Sequence, residues 1–252
     1  MSERIIGIMG AIPQEINGVV NLLTNKQEHK IGRRSYFTGE LNNQKVVVVY
    51  SRVGKVAASA TVTTLILEFK VSELIFTGVA GGIHADVKIG DIVLGQSLIQ
   101  HDMNAQPLFP AYEIPMLGKA YFEADSSQLE VATTAILEIL EEQHLHNVIS
   151  EKDLDKFNIH QPQLHVGLIG SGDLFFSTNS QKEKLQQNLP EMLCVEMEGA
   201  AVAQVCYEFD IPFIIIRTIS DDADDHSTLD FNSFIEKISN VYSIEIIKNI
   251  IK

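Results

Sequence analysis

Four carboxylates stand where an α/β chain can use them. Glu15 follows the glycine turn of "GIMGAIPQEI", Glu196 and Glu198 flank Met197 in "LCVEMEGAAVAQVC", and Asp221 ends the apolar run "IIIRTISD". In open α/β sheets, ligands collect beyond the carboxyl ends of the strands. An acid placed directly after an apolar run is therefore a candidate for proton transfer or for holding a polar substrate. If "MLCVEM" stays extended to its end, Glu196 and Glu198 point to one side and Met197 to the other, so two like charges share a site. A solvated strand end explains such a pair as well. What favours chemistry is the combination: Glu15, Glu198 and Asp221 close separate parts of the chain, and "IGSGDLFFS" adds adjacent aromatics at Phe175 and Phe176.

Strands must carry these groups to one rim. Short β-rich runs read at "RIIGIMG", "SYFTGEL", "KVVVVYS", "ELIFTGVA", "GDIVLGQSLI", "QLHVGLIG", "MLCVEM" and "PFIIIRTIS". Their nearly continuous apolar character predicts burial on both faces. Apolar residues recur at three- and four-residue intervals over roughly 14–23, 55–69, 126–143, 180–188, 199–209 and 231–250, which predicts helices. The interleaving favours a mostly parallel sheet covered by helices on both faces. No linker, repeat or low-complexity tract divides the chain, so residues 1–252 are expected to form one domain. The stretches 102–122, with four prolines or glycines, and 144–163, which is polar, are expected to be irregular surface excursions.

Composition excludes several classes. A net charge of -14 and the lack of a Lys/Arg cluster argue against nucleic acid or an anionic membrane as partner. The run "IIGIMGAI" is broken by Pro13, Gln14 and Glu15, too short for a signal-peptide core or a membrane span, so a cytoplasmic protein is expected. Cys194 and Cys206 show no metal-ligand spacing and read as small buried side chains. The acidic run "DDADDH" offers carboxylates and a histidine that could ligate a cation, but its spacing fits no metal loop, and solvation and helix capping ahead of "FNSFIEKI" account more simply for Asp224, Asp225 and Asp230. The glycines at 78–82 match neither nucleotide-phosphate fingerprint, and a tight turn with close packing explains them. His101, beside Asp102 after a strand, is placed near a cleft, with a satisfied polar role the simpler reading.

Taken together, "GIMGAIPQEI", "SRVGKVAAS", "TGVAGG", "KIGDIV", "GSGDLFF", "VEMEGAAVAQVC", "IPFIIIRTISD" and "LDF" resemble the 5′-methylthioadenosine/S-adenosylhomocysteine nucleosidases of the nucleoside phosphorylase superfamily. The resemblance spans nearly the whole chain, and "VEMEGAA" and "RTISD" are its most specific blocks. It implies a three-layer α/β/α sandwich with a mixed central sheet, nucleoside phosphorylase-like, usually a homodimer, with no metal or organic cofactor and a small nucleoside as substrate. Position by position, it implies that Glu15 activates water, Asp221 protonates adenine N7, and Glu198 holds the ribose hydroxyls. Met197 would pack on the ribose with Glu196 behind it. Phe175 would stack on the purine, Phe176 would offer its backbone to the base, Ser220 would orient Asp221, and Arg217 would support the site. Ile12, Val53 and Phe231 map to the apolar side of the ribose and alkylthio pocket. Val79 replaces a frequent serine. The stretch 102–118 departs from the pattern; its Ala105, Phe109, Tyr112 and Pro115 are candidates for a 5′ pocket that spans two subunits.

The same resemblance leaves water or phosphate as nucleophile, and related enzymes acting on futalosine, inosine or adenosine, or a binding protein without turnover, are the rival readings. At ~4 Å and an effective dielectric of ~20, a glutamate opposes each unit of anionic charge by roughly 4 kcal/mol, so Glu15 favours water. Arg52 is the cation that weakens this argument, while Arg33 and Arg34 are placed to reach a neighbouring subunit.

Overall fold

The computed structural model describes residues 3–223 and 231–252; Asp224 and Asp225 of the acidic run, and Asp230 after it, lie outside the described residues. In chain order its elements are β1 (Ile6–Gly10), α1 (Pro13–Leu22), β2 (Thr24–Ile31), β3 (Arg34–Leu41), β4 (Gln44–Tyr50), α2 (Lys55–Leu67), β5 (Glu73–Gly82) and β6 (Ile92–Gln100). There follow β7 (Tyr121–Glu123), α3 (Ser126–Leu140), α4 (Glu142–Val148), α5 (Glu151–Lys156), β8 (Leu164–Ser171), α6 (Asn179–Asn188), β9 (Met192–Glu196), α7 (Gly199–Glu208) and β10 (Phe213–Asp221). The last helical stretch is α8 (Phe231–Phe234) and α9 (Asn240–Ile250), joined by a π-helical turn at Ile235–Ser239.

The strands form a central sheet in the order β10-β6-β8-β9-β5-β1-β4-β3-β2, with β7 beside β6. Because β10 also pairs with β5, the strands β5, β10, β6, β8 and β9 close on themselves, and β1, β4, β3 and β2 extend outward from β5. Strand alternation explains why helices cover both sides. Ile6, Ile8, Val46, Val48, Ile214 and Ile216 meet Ile16 and Val19 of α1, Ile136 of α3 and Ile246 of α9. Their neighbours Met9, Val47, Val49, Phe213 and Ile215 meet Val62 and Leu65 of α2 and Val202 of α7. Burying a Val, Leu or Ile side chain fully is worth roughly 1.5–3 kcal/mol, so a sheet apolar on both faces is stable only as the middle of three layers.

The direction of the strands corrects the mostly parallel expectation: the sheet is mixed, as the family resemblance implied. β5 runs parallel to β1 and β10 but antiparallel to β9, and β6 runs parallel to β8 but antiparallel to β10. The outer strands β2, β3 and β4 form an antiparallel meander. Asn42 and Asn43, both at positive φ, make the two-residue turn from β3 to β4 that such a hairpin favours. β2 has no counterpart among the expected strands because "TNKQEHKI" is almost wholly polar and exposed; among the described residues it pairs only with β3, as an edge. The stretch 144–163 is not irregular either. α4 and α5 fold there because Leu145, Ile149, Leu154 and Ile159 find apolar partners, and Ser150 accepts the Asp153 N–H at the start of α5. β7 likewise forms at the end of the 102–122 excursion.

Candidate active site

Glu15 sits in the first turn of α1, whose Pro13 needs no amide partner and whose preceding glycine turn leaves β1. Its Oε2 accepts the N–H groups of Ala11 at 2.6 Å and Ile12 at 3.1 Å, and Oε1 accepts that of Val79 at 3.2 Å. The carboxylate therefore caps its own helix while bridging to β5. Gly78 makes this possible: a Cβ there would stand 2.8 Å from Glu15 Oε1. Gly81 does the same for Asp221, where a Cβ would stand 3.0 Å from Oδ1. The glycines at 78–82 thus provide close packing, and the groups packed against them are the two carboxylates. Asp221 ends β10, with Oδ2 accepting the Ser220 hydroxyl at 2.7 Å and Oδ1 accepting the Ala223 N–H at 2.9 Å.

The glutamate pair departs from the extended picture. β9 stops at Glu196, and Glu198 is the N-cap of α7 with φ -136° and ψ -42°. Glu196 turns inward. It accepts Arg217 Nη2 at 2.6 Å and the amides of Glu198 and Gly199 at 3.1 and 2.8 Å, all on Oε2, and Ser171 donates its hydroxyl to Oε1. Arg217, fully buried, also lies over the Phe76 ring at 4.1 Å. Glu198 reaches the other way, to the Gly54 N–H at 2.8 Å, just before α2. Its neighbour Met197 turns toward the same hollow.

That hollow has a volume of about 230 Å³ and brings together Glu15, Glu196, Met197, Glu198, Ser220, Asp221, Phe175, Phe176, Ile12, Val53, Val79 and Phe231. Arg217 stands behind the wall and not on it. Phe176 is buried edge-on against His101, with ring centroids 5.3 Å apart, so His101 backs an aromatic residue and does not face the hollow. Asp102 is paired with Lys55 Nζ at 2.6 Å. Phe175, Val53 and Leu174 are about half exposed and form an apolar mouth. Ala105, Phe109, Tyr112 and Pro115 do not line it. Nor does Arg52, whose guanidinium donates to Arg33 O at 2.7 Å, or Arg34, which donates to Ser51 O and Ala57 O. Among the described residues, no lysine or arginine lines the hollow. Ser171 and Gly54 were missed in the sequence. Ser171 lay in the Gly-Ser-Gly turn and could have been noticed, whereas the Gly54 contact is made by a backbone amide and leaves no residue signature.

Electrostatics follow from this burial. Removal from water raises the Glu15 carboxyl above the usual carboxylate range, against the pull of Arg217 and the three amides. Burial, and then the nearby Glu196, push Glu198 up to about 8. The two cysteines are buried free thiols whose ionisation burial also opposes. The site therefore concentrates acids in an apolar wall, where a developing positive charge is strongly favoured.

The phosphorylase superfamily profile matches residues 5–252. A 5′-methylthioadenosine/S-adenosylhomocysteine nucleosidase of Staphylococcus epidermidis is 34% identical over 233 residues, covering 92% of each chain. A crystal structure of the corresponding Neisseria meningitidis nucleosidase in complex with methylthio-immucillin-A superimposes with a TM-score of 0.86 at 30% identity, covering 99% of each chain. A futalosine hydrolase mutant of Helicobacter pylori aligns with a TM-score of 0.81 at 30% identity, covering 98% of each chain.

Proposed function

The chain belongs to the phosphorylase superfamily and, within it, to the 5′-methylthioadenosine/S-adenosylhomocysteine nucleosidases, and from that premise we propose that it hydrolyses the N-glycosidic bond of these two nucleosides to release adenine. One observation carries the reading: Glu15, Glu198 and Asp221, from three distant parts of the chain, line a single hollow together with a methionine and two phenylalanines. We take residues 1–252 to work as one nucleoside phosphorylase-like domain.

Breaking the C1′–N9 bond builds positive charge on the sugar and negative charge on the leaving base, and the roles follow from that separation. Asp221, oriented by Ser220, gives its proton to adenine N7, so the base leaves neutral. Water bonds to C1′ and passes a proton to Glu15, whose burial makes it a better base than an exposed glutamate. Glu198 accepts hydrogen bonds from the ribose hydroxyls and, when ionised, stabilises the growing sugar cation. Met197, Ile12, Val53, Val79 and Phe231 enclose the ribose and 5′ substituent, while Phe175 and Phe176 hold the purine. Glu196 and Arg217 satisfy one another and fix the start of α7, which carries Glu198. Water is the nucleophile because the hollow presents carboxylates and no lysine or arginine among its described lining residues to hold phosphate.

Apolar side chains stand exposed at the mouth, in Val53, Leu174 and Phe175, and elsewhere on the surface in Val56, Leu108 and Met116, the last 94% exposed, and we infer that a second copy covers them, giving a cytoplasmic homodimer. Free adenine is to be followed from methylthioadenosine, S-adenosylhomocysteine, futalosine and inosine, with and without phosphate. The expected result is phosphate-independent release from the two thioethers, lowered by about 10²–10⁴-fold in Asp221→Asn. Strict phosphate dependence, or turnover confined to futalosine or inosine, would refute the assignment, and adenine binding without release would leave a binding protein.

A further inference from the structure

Across the strand ends from Asp221, α6 presents Lys182 and Gln186, four residues apart and hence on one helix face. Lys182 Nζ donates to Gly82 O at 2.9 Å and to Asp222 O at 2.6 Å, and Gln186 Nε2 donates to Ile83 O at 2.5 Å. Gly82 is the last residue of β5, and Asp222 follows Asp221 directly. The position of this clamp matters because the β5–β10 ladder loses its regular register between Ile219 and Asp221. Sheet hydrogen bonding alone therefore holds Asp221 less firmly than the strand before it. An ammonium has three donors and makes bonds roughly twice as strong as neutral ones, so one lysine can tie both carbonyls across the gap. The helix that supplies it follows directly on the loop bearing Phe175 and Phe176.

We propose that Lys182 is a positioning residue for Asp221: by holding the Asp222 carbonyl to the end of β5 it sets the Asp221 carboxyl against the base that the phenylalanine loop grips. This rests on the reading of Asp221 as the proton donor. Lys182 does not line the hollow, its ammonium donates to the Gly82 and Asp222 carbonyls, and its effect passes through the backbone. A misplacement of the order of 1 Å in a proton donor lowers turnover by about 10²-fold.

The test compares two leaving groups. Adenine leaves with Asp221's help, whereas 4-nitrophenol leaves as a stabilised phenolate without a proton. Lys182→Met is expected to lower kcat for methylthioadenosine by about 30–100-fold with KM within about threefold, while kcat for the 4-nitrophenyl β-glycoside of 5-methylthioribose stays within about threefold. Lys182→Arg, which keeps a cationic donor, should recover most of the adenine release. Equal losses on both substrates, or no loss on methylthioadenosine, would show a staple with no bearing on Asp221 and overturn the proposal. If Lys182→Met fails to fold, Lys182→Gln is compared by the same pair of assays. A wild-type protein that releases no adenine removes the premise, and this inference with it, an outcome distinct from an active wild type whose variants lose both substrates alike.

Discussion

Glu198 is costly to keep. Burial and Glu196 push its carboxyl up to about 8 from an ordinary value of 4.5, so the folded protein binds that proton more tightly than the unfolded chain does. The stability linked to it is complete below about pH 4.5 and is lost as pH rises through about 8, where a charge must be held in an apolar wall. Glu198→Gln keeps the shape without the charge. Calorimetry should find its Tm close to that of the wild type at pH 5, increasingly above it as pH rises toward 8 and level beyond that, while adenine release falls by at least about 10²-fold. A Tm gain independent of pH would mean that the buried charge is not the cause. At this scale the sequence was informative, because Glu15, Glu198 and Asp221 are side chains whose chemistry can be read from their type and their place after a strand. Lys182 and Gly54 were not legible for a physical reason: both act on or through backbone atoms, and nothing in a lysine's neighbours in sequence says which carbonyl it will meet.

Elements differ in how plainly they announce themselves. β1, β4, β5 and β10 are buried on both faces and were visible as apolar runs, as were the helices whose three- and four-residue spacing marks one face. β2 owes its shape to its neighbour β3 and not to its own residues, and α4 and α5 depend on four spaced apolar side chains in a polar stretch. Their packing also has a use: Phe157, just after α5, meets Phe234 edge-on at 5.2 Å and steadies the turn that begins with Phe231. Helix starts away from the hollow can be weakened without touching the chemistry. Asp125 caps α3 by accepting the Gln128 N–H at 3.0 Å. Replacing it with Ala should cost about 1 kcal/mol and lower Tm by about 2–4 °C, with kcat and KM unchanged. Loss of activity in that variant would mean that α3, none of whose residues lines the hollow, is coupled to the site.

For the molecule as a whole, the apolar mouth is the feature a lone chain leaves unfinished. Val56, Leu108 and Met116 are exposed apolar side chains, and the four residues of the 102–118 stretch expected to form a 5′ pocket lie off this chain's own wall. Substitution of Met116 by Asp should shift sedimentation toward the monomer and raise KM for the thioether substrates by about tenfold, one buried methionine-sized contact being worth roughly 1.5–3 kcal/mol. A monomeric wild type of full activity would end the two-chain reading. The side of the sheet far from the mouth carries a different consequence. There the row of open backbone groups belongs to β2, whose Lys26, Glu28 and Lys30 stand exposed along it. Charged side chains on such a margin discourage another strand from docking, so copies of this protein are steered away from fibrous stacking even at the concentrations of a crowded cell.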